Sequence, residues 1–214
     1  ELALLKTHYY GGIKRYQWTA IPLALHGVVI RKDGTSVTVT VGEKDDEPVF
    51  CVSDLLPHLA KEQMDRKLGD GIKGEELNIL VGSMPFRDDE VSEKVKLNIA
   101  SILFEKYGII EEDFQSAELT MVPAGKARDI GFDRSMIGAY GHDDRVCAYP
   151  SVIAAFEVTA PKYTSVTVIT DKEETGSDGN TGLHSAFLKH FIADIVQIFL
   201  RNAHALHHFL DLRQ

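Results

Sequence analysis

Apolar and polar residues alternate with the period of two that is typical of β-strands in the first half of the chain. The alternating or β-branched runs are LHGVVIRKD (25–33), TSVTVTVGE (35–43), PVFCVSD (48–54) and part of GEELNILVGSMP (74–85). Charged turns separate them, and AELTMVPAG (117–125) adds another extended segment. Short strands joined by polar turns predict a mostly antiparallel sheet.

The period changes to that of a helix in VSEKVKLNIASILFEKYG (91–108). Its apolar positions recur at helical spacing, namely Val91, Val95, Ile99, Ile102 and Leu103. Gly108 stands where the C-cap of that helix is expected, because glycine adopts the left-handed conformation without strain.

Strands and helices alternate in the second half of the chain. The pattern predicts a helix at RVCAYPSVIAAFEV (145–158), which contains Pro150, a strand at SVTVITD (165–171) and a long helix over 183–209. Proline inside a helix is expected to shorten or kink it. This order favours an α/β layer built on a parallel or mixed sheet.

Composition narrows the classes of partner and compartment. The 214 residues include 23 basic and 32 acidic side chains, and the net charge of −9 disfavours a nucleic-acid partner. Cys51 and Cys147 lie far apart, which predicts neither a disulfide framework nor a thiolate zinc site and favours the cytoplasm. We expect no membrane association, since no apolar run approaches the roughly 20 residues that span a bilayer.

Two acidic pairs carry the candidate chemistry. Glu173 and Glu174 follow the predicted strand in TDKEETGSDGNTG (170–182), and Asp143 and Asp144 precede the predicted helix in AYGHDDRVCAY (139–149). Carboxylates that converge on one sheet edge require a cation, and zinc accepts carboxylate oxygens while a free carboxylate acts as general base. The alternative is that both pairs are solvated surface, with Asp143 as an N-cap.

Several segments resemble the zinc aminopeptidases related to vacuolar aminopeptidase I and aspartyl aminopeptidase. They are TDKEETGSDG, DRSMIGAYGHDDRVCAY, KTHYYGGIKRYQW and LLPHLAKEQMDRKLGDGIKGEELNILVGSMP, in order from Leu4 to about Val196. The resemblance implies an α/β fold with a mixed-sheet catalytic core, incomplete here, and an inserted β-rich dimerisation domain. It implies a metallo-aminopeptidase that releases N-terminal residues from peptides.

The resemblance also assigns roles to four residues. Asp143 would bridge two zinc ions, Glu174 would bind one of them, and Glu173 would be the general base that activates a zinc-bound water. His58 in LLPHLA resembles a histidine that reaches the active site of a neighbouring subunit and helps to hold the oxyanion. Without the resemblance, His58 is equally an ordinary loop or helix-end histidine.

The implied organisation is a catalytic lead-in at 1–22, an inserted dimerisation domain at 23–124 and a partial catalytic α/β domain at 125–214. That insertion implies dimers and larger assemblies up to a dodecamer. The family's first histidine ligand would precede this chain, and its later carboxylate and histidine ligands would follow the matched region. An alternative is therefore a truncated, non-catalytic member that keeps the oligomerising domain but lacks a complete metal site.

The tail offers a further set of candidate ligands. His204, His207 and His208 have i, i+3, i+4 spacing, which places them on one face of the predicted helix. An amphipathic helix explains these histidines as its polar face, so metal binding there is the weaker interpretation.

Overall fold

The computed structural model describes residues 1–9, 11–88, 90–170 and 185–211, and it describes 202–211 as backbone alone. Contacts divide these residues into two compact units. The first unit holds 1–9 and 13–142, and the second holds the described residues among 10–12 and 143–214. Strands and helices are both present, which confirms the α/β class.

Within the described residues, every strand lies in the first unit. They are β1 (Ala3–Leu5), β2 (Leu23–Ile30), β3 (Ser36–Val41), β4 (Ile79–Gly82), β5 (Ala117–Pro123), β6 (Arg128–Ile130) and β7 (Met136–Gly138). The α-helices are α1 (Lys61–Met64), α2 (Lys94–Tyr107), α3 (His142–Glu157) and α4 (Phe187–Asp211). Single 3-10 turns stand at Arg15–Trp18, Leu68–Asp70, Gly74–Glu76 and Glu111–Ser116.

The largest sheet has the order β3-β2-β5 and is antiparallel throughout. Strands β2 and β3 form a hairpin in which Leu25 pairs with Val41. Strand β5 reaches β2 from far along the sequence, with Leu23 opposite Pro123. One step further, the Ala124 amide donates to the Pro22 carbonyl at 3.0 Å. The chain therefore enters β2 and leaves β5 at neighbouring points.

The predicted strand at 48–54 forms bridges in place of a continuous ladder. Phe50 and Leu23 exchange two backbone hydrogen bonds of 2.8 and 2.9 Å, and the Leu80 amide donates to the Cys51 carbonyl at 2.9 Å. The segment thus connects β2 with β4, which itself pairs antiparallel with β1. The antiparallel sheet predicted for the first half is confirmed, with this segment as the link between its two parts.

Two apolar clusters form the core of the first unit. One gathers Leu23, Val52, Ile72, Leu77 and Ile79. The other gathers Leu25, Val29, Val39, Val41 and Ile109, with Leu103 and Tyr107 of α2 packed against it. Each fully buried aliphatic side chain stabilises the fold by about 1.5–3 kcal/mol, so the β2-β3 hairpin and α2 hold each other in place.

Helix α2 ends as the sequence predicts. Gly108 adopts the left-handed conformation (φ 66°) and its amide donates to the Phe104 carbonyl at 2.8 Å. The buried Ile109 follows at once and packs against the β2-β3 hairpin. Glycine is required at position 108 because a side chain there would be strained.

The second unit departs from its predicted pattern at one place. Helices α3 and α4 are confirmed, but residues 165–170 form no strand, and their predicted assignment is wrong. A strand exists only within a sheet, and the described residues offer this segment no pairing partner. Val166 and Val168 accordingly remain 44% and 48% exposed. Every strand pair in the described chain is antiparallel, so the predicted parallel or mixed sheet is not seen in that part.

Helix α3 departs from regular helical geometry at a different residue from the one predicted. Its departure from helical geometry lies at Asp143 (φ −88°, ψ 113°), whereas Pro150 lies within the continuing helix. In the described part of α4, Ile192, Val196 and Phe199 are about half exposed. Among the described helices, none is both long and apolar enough to cross a bilayer.

Candidate metal centre

Asp143 lies at the start of α3, immediately after the β6-β7 hairpin. Its carboxylate is exposed, its backbone is extended, and the Asp143–Asp144 peptide bond is cis. Just before it, His142 Nε2 donates a hydrogen bond to the Ile137 carbonyl at 3.0 Å. This bond ties the chain that precedes Asp143 back to β7 and places the Nε2 proton on His142.

An aromatic contact also supports the segment that leads into α3. The rings of Trp18 and Tyr140 meet edge to face, with centroids 6.1 Å apart and planes at 82°. Trp18 also packs against the first apolar cluster. Edge-to-face pairs stabilise by about 0.5–1.5 kcal/mol beyond the area they bury.

Glu173 and Glu174 lie outside the described residues, so their assignments stay predictions. In the part of the chain that is described, no group of three His, Cys, Asp or Glu side chains is arranged to hold a metal ion. A zinc site ordinarily takes at least three protein ligands. The described residues therefore contribute Asp143 as a candidate ligand and do not by themselves form a complete site.

His58 is an exposed residue of the turn between β3 and α1. The turn is closed by the Leu59 amide, which donates to the Leu56 carbonyl at 2.8 Å. Leu55, Leu56 and Leu59 around it are all more than half exposed. His58 belongs to the first unit and Asp143 to the second, so the cross-subunit role of His58 stays a prediction.

Asp54 anchors the segment that carries His58. Its carboxylate accepts hydrogen bonds from Gln63 Nε2 at 2.9 Å, from the Leu55 amide at 2.8 Å and from Thr19 Oγ1 at 3.3 Å. The Gln63 bond above all, with the Leu55 and Thr19 bonds, lowers the pKa of Asp54. A cleft of about 230 Å³ lies beside it, and Arg66 and Glu76 form an ion pair of 3.0 Å in its wall. The start of the loop is thus fixed while its tip at His58 faces solvent.

Two further sets of residues complete the account of the site. The side chains of His204, His207 and His208 lie outside the described residues, so their metal binding stays a prediction.

His142 carries no role in the sequence-based prediction, although its bond to Ile137 orients the chain before Asp143. Its position next to an acidic pair was the one signal available, and a single histidine beside a carboxylate is too common to predict a contact.

The comparison with known protein families settles the relationship of the chain. A profile described as aminopeptidase I zinc metalloprotease (M18) matches residues 1–210. The chain belongs to this family. The resemblance found in its sequence motifs is therefore confirmed.

Individual members of the M18 family match closely. A probable M18 family aminopeptidase 1 of Clostridium acetobutylicum is 59% identical over 198 residues, which are 92% of this chain and 43% of that protein. The crystal structure of an M18 aminopeptidase from Thermotoga maritima matches with a TM-score of 0.84 and 48% identity. That of aminopeptidase I from Clostridium acetobutylicum matches with a TM-score of 0.82 and 56% identity. Each structural match covers 92% of this chain and 43% of the other.

The M18 chain described here thus spans less than half the length of these relatives. The matched part includes Asp143 and the candidate segment at 170–182, because the family profile runs through both. The family is described as a zinc metalloprotease, which agrees with the carboxylate-rich chemistry of that segment.

Proposed function

We propose that this chain is part of a metallo-aminopeptidase that releases N-terminal amino acids from peptides. The observation that carries the proposal is the M18 family match over residues 1–210. The 59% identity with the Clostridium acetobutylicum relative supports it, since that protein is named a probable aminopeptidase. Two free thiols, Cys51 and Cys147, favour action in the cytoplasm.

The residues of this chain would divide the chemical work between them. Asp143 and Glu174 would hold zinc, with Asp143 shared between two ions, and Glu173 would accept a proton from the attacking water. Bound zinc would supply Lewis acidity toward the peptide carbonyl.

We propose further that residues 23–124 form an inserted domain between a lead-in at 1–22 and the catalytic part at 125–214. The neighbouring positions of its two ends support this, since Leu23 pairs with Pro123 and the Ala124 amide bonds to Pro22. An insertion must leave and rejoin its parent domain at nearby points. We also propose that the protein self-associates through this domain, to a dimer or to larger assemblies up to a dodecamer.

The general-base role is tested in a polypeptide of the relatives' full length. We expect Glu173→Gln to lower kcat by about a hundredfold or more, because the amide keeps the shape of the side chain but accepts no proton. Zinc content, measured by atomic absorption, should remain at the wild-type value. Glu157→Gln, which neutralises an exposed carboxylate at the end of α3, is the matched control. Near-normal turnover in Glu173→Gln would remove Glu173 from the mechanism.

A non-catalytic product is the second candidate function. It would be a truncated family member that keeps the oligomerising domain but lacks a complete metal site. We expect the purified 214-residue chain to show no turnover of aminoacyl chromogenic substrates with added zinc, manganese or cobalt. Metal-dependent turnover that co-elutes with a chain of 23.8 kDa would contradict this and would direct attention to the tail histidines.

A further inference from the structure

The segment that carries His58 is held with little apolar packing of its own. This segment, 54–63, is called the His58 loop below. Three of its apolar side chains are more than half exposed, namely Leu55, Leu56 and Leu59. The structure describes the whole loop, and within it Ala60 alone is buried, at 4% exposed. Because few buried apolar contacts fix the loop, its position depends on its hydrogen bonds.

Asp54 ties the two ends of the His58 loop together. Its Oδ1 accepts a hydrogen bond from Gln63 Nε2 at 2.9 Å, across the base of the loop, and another from the Leu55 amide at 2.8 Å. Its Oδ2 accepts a hydrogen bond from Thr19 Oγ1 at 3.3 Å, which joins the loop to the segment before β2. One carboxylate thus holds the first residues of the loop, its last residue and a neighbouring segment.

Both partners of the bond across the loop base are attached to fixed structure. Asp54 follows Val52 by two residues, and Val52 is 3% exposed in the first apolar cluster. Gln63 lies on α1, and just beyond α1 the Arg66 guanidinium donates to Glu76 Oε1 at 3.0 Å. The bond between Asp54 and Gln63 therefore sets the direction in which the loop leaves the core.

We propose that Asp54 is a positioning residue of the aminopeptidase, whose carboxylate sets the place of His58 at the tip of the loop. The inference rests on the proposed aminopeptidase function and on the predicted role of His58 at the active site of a neighbouring subunit. Asp54 acts through the loop and takes no part in the chemical step. Misplacing a catalytic group by about 1 Å costs on the order of a hundredfold in rate, so a carboxylate at the loop base affects turnover through His58.

A double-mutant cycle tests whether Asp54 acts through His58. In a polypeptide of the relatives' full length, Asp54→Ala should lower kcat/KM about tenfold or more, chiefly through kcat, at unchanged zinc content. His58→Ala should lower kcat/KM at least as much. The double variant should be no slower than His58→Ala, because a residue that acts only through another has no effect once that other is gone.

Asp54→Asn is the conservative variant, and it should keep at least about half of the wild-type kcat/KM. Its amide oxygen replaces Oδ1 as the acceptor of the two bonds within the loop. Thr19 Oγ1 donates to the Tyr16 carbonyl at 3.1 Å, so it can accept a hydrogen bond from the new amide group. Asp65→Ala is the matched control, because it removes the same charge from an exposed position at the end of α1. It should leave kcat/KM unchanged.

The position of the loop is measured without turnover, by hydrogen exchange in the 214-residue chain. The Leu59 amide donates to the Leu56 carbonyl at 2.8 Å, so its exchange rate reports the order of the loop tip. Asp54→Ala should raise this rate about tenfold, and Asp54→Asn should leave it unchanged. The Leu80 amide, which donates to the Cys51 carbonyl at 2.9 Å, should exchange at the same rate in all variants and show that the unit stays folded.

Failure of the Asp54 role and failure of the proposed function give different results. Unchanged exchange at Leu59, or full turnover in Asp54→Ala, would overturn the Asp54 role and leave the peptidase assignment standing. The same holds if the losses from Asp54→Ala and His58→Ala add up, or if Asp54→Asn is as slow as Asp54→Ala. A wild-type polypeptide without turnover would overturn the proposed function and this inference together, as full turnover in His58→Ala would overturn the roles of both residues.

Discussion

At the scale of single residues, two carboxylates of the first unit act as acceptors for backbone amides. Asp113 is 3% exposed and accepts the Lys32 amide at 2.8 Å and the Ile110 amide at 2.9 Å. It thereby fastens the β2-β3 turn to the segment that follows α2. Glu47 acts similarly at the other end of β3, where one carboxylate oxygen accepts the amides of Gly42, Glu43 and Lys44. These two side chains hold the turns at both ends of the β3 edge.

Glu47 should make stability depend on pH in the acid range. The Lys44 amide, followed by the Gly42 amide, lowers the pKa of Glu47 below its ordinary 4.5. A lowered pKa stabilises the fold above the unfolded pKa, and that contribution is lost as the pH falls through the folded value. We expect Glu47→Gln to lower the urea midpoint at pH 7 and to lower it much less at about pH 3.

The control for Glu47 is its exposed neighbour Asp46, which carries the same charge. Asp46→Asn should leave the urea midpoint nearly unchanged at both pH values. A Glu47→Gln variant whose loss of stability is equal at the two pH values would contradict the role of the ionised carboxylate.

At the scale of elements, the β2-β5 pairing depends on the absence of a side chain at Gly27. A Cβ atom there would overlap the carbonyl oxygen of Glu118 and stand 2.9 Å from the Cα of Leu119. The obstruction is backbone of the neighbouring strand, so no rotamer change relieves it. The close approach of β2 and β5 is thus possible only with glycine at this position.

Gly27→Ala should therefore destabilise the first unit by about 3 kcal/mol or more, as severe overpacking does. Gly125→Ala is the matched control, since an added Cβ there meets nothing within 4 Å. Urea unfolding measures both changes, and hydrogen exchange should show loss of protection first in β5. Equal stability of the two variants would mean that β2 and β5 move apart at little cost.

The same elements show how far the sequence predicts the fold. Strand β2, strand β3 and helix α2 were predictable because their periodicity and the Gly108 cap are local signals. The buried position of Asp113 was not predictable, because its carboxylate accepts a hydrogen bond from the Lys32 amide, which is distant in sequence. The strand at 165–170 was predicted wrongly, since β-branched residues give strand propensity but not the neighbouring strand on which pairing depends. For the candidate site, the sequence motifs were enough to identify the family. The contact of His142 with Ile137, in contrast, could be seen only in the structure.

At the scale of the whole molecule, the described candidate metal ligand, Asp143, and the main core lie in different units. Asp143 belongs to the second unit, and the buried Leu23, Val29 and Val39 belong to the first. Trp18, the one tryptophan in the sequence, packs against the first unit's core. Its fluorescence therefore reports the unfolding of that unit.

We expect a chelator such as EDTA to leave the Trp18-detected urea midpoint of this chain unchanged. A ligand stabilises only the structure that binds it, and no candidate metal ligand is assigned to the first unit. The wild-type chain without chelator is the comparison. A clear fall in the midpoint on chelation would place a metal in the first unit and would contradict the assignment to Asp143.

The contact between Pro22 and Ala124 has a consequence for how related proteins differ in length. Because a backbone hydrogen bond joins Ala124 to Pro22, residues can be gained or lost in the loops between them without moving the flanking chain. The turn at 43–48 lies outside the strand ladders, so a change of length there disturbs none of them. Relatives should therefore differ in length chiefly between Pro22 and Ala124, while the number of residues from Ala124 to Asp143 stays constant.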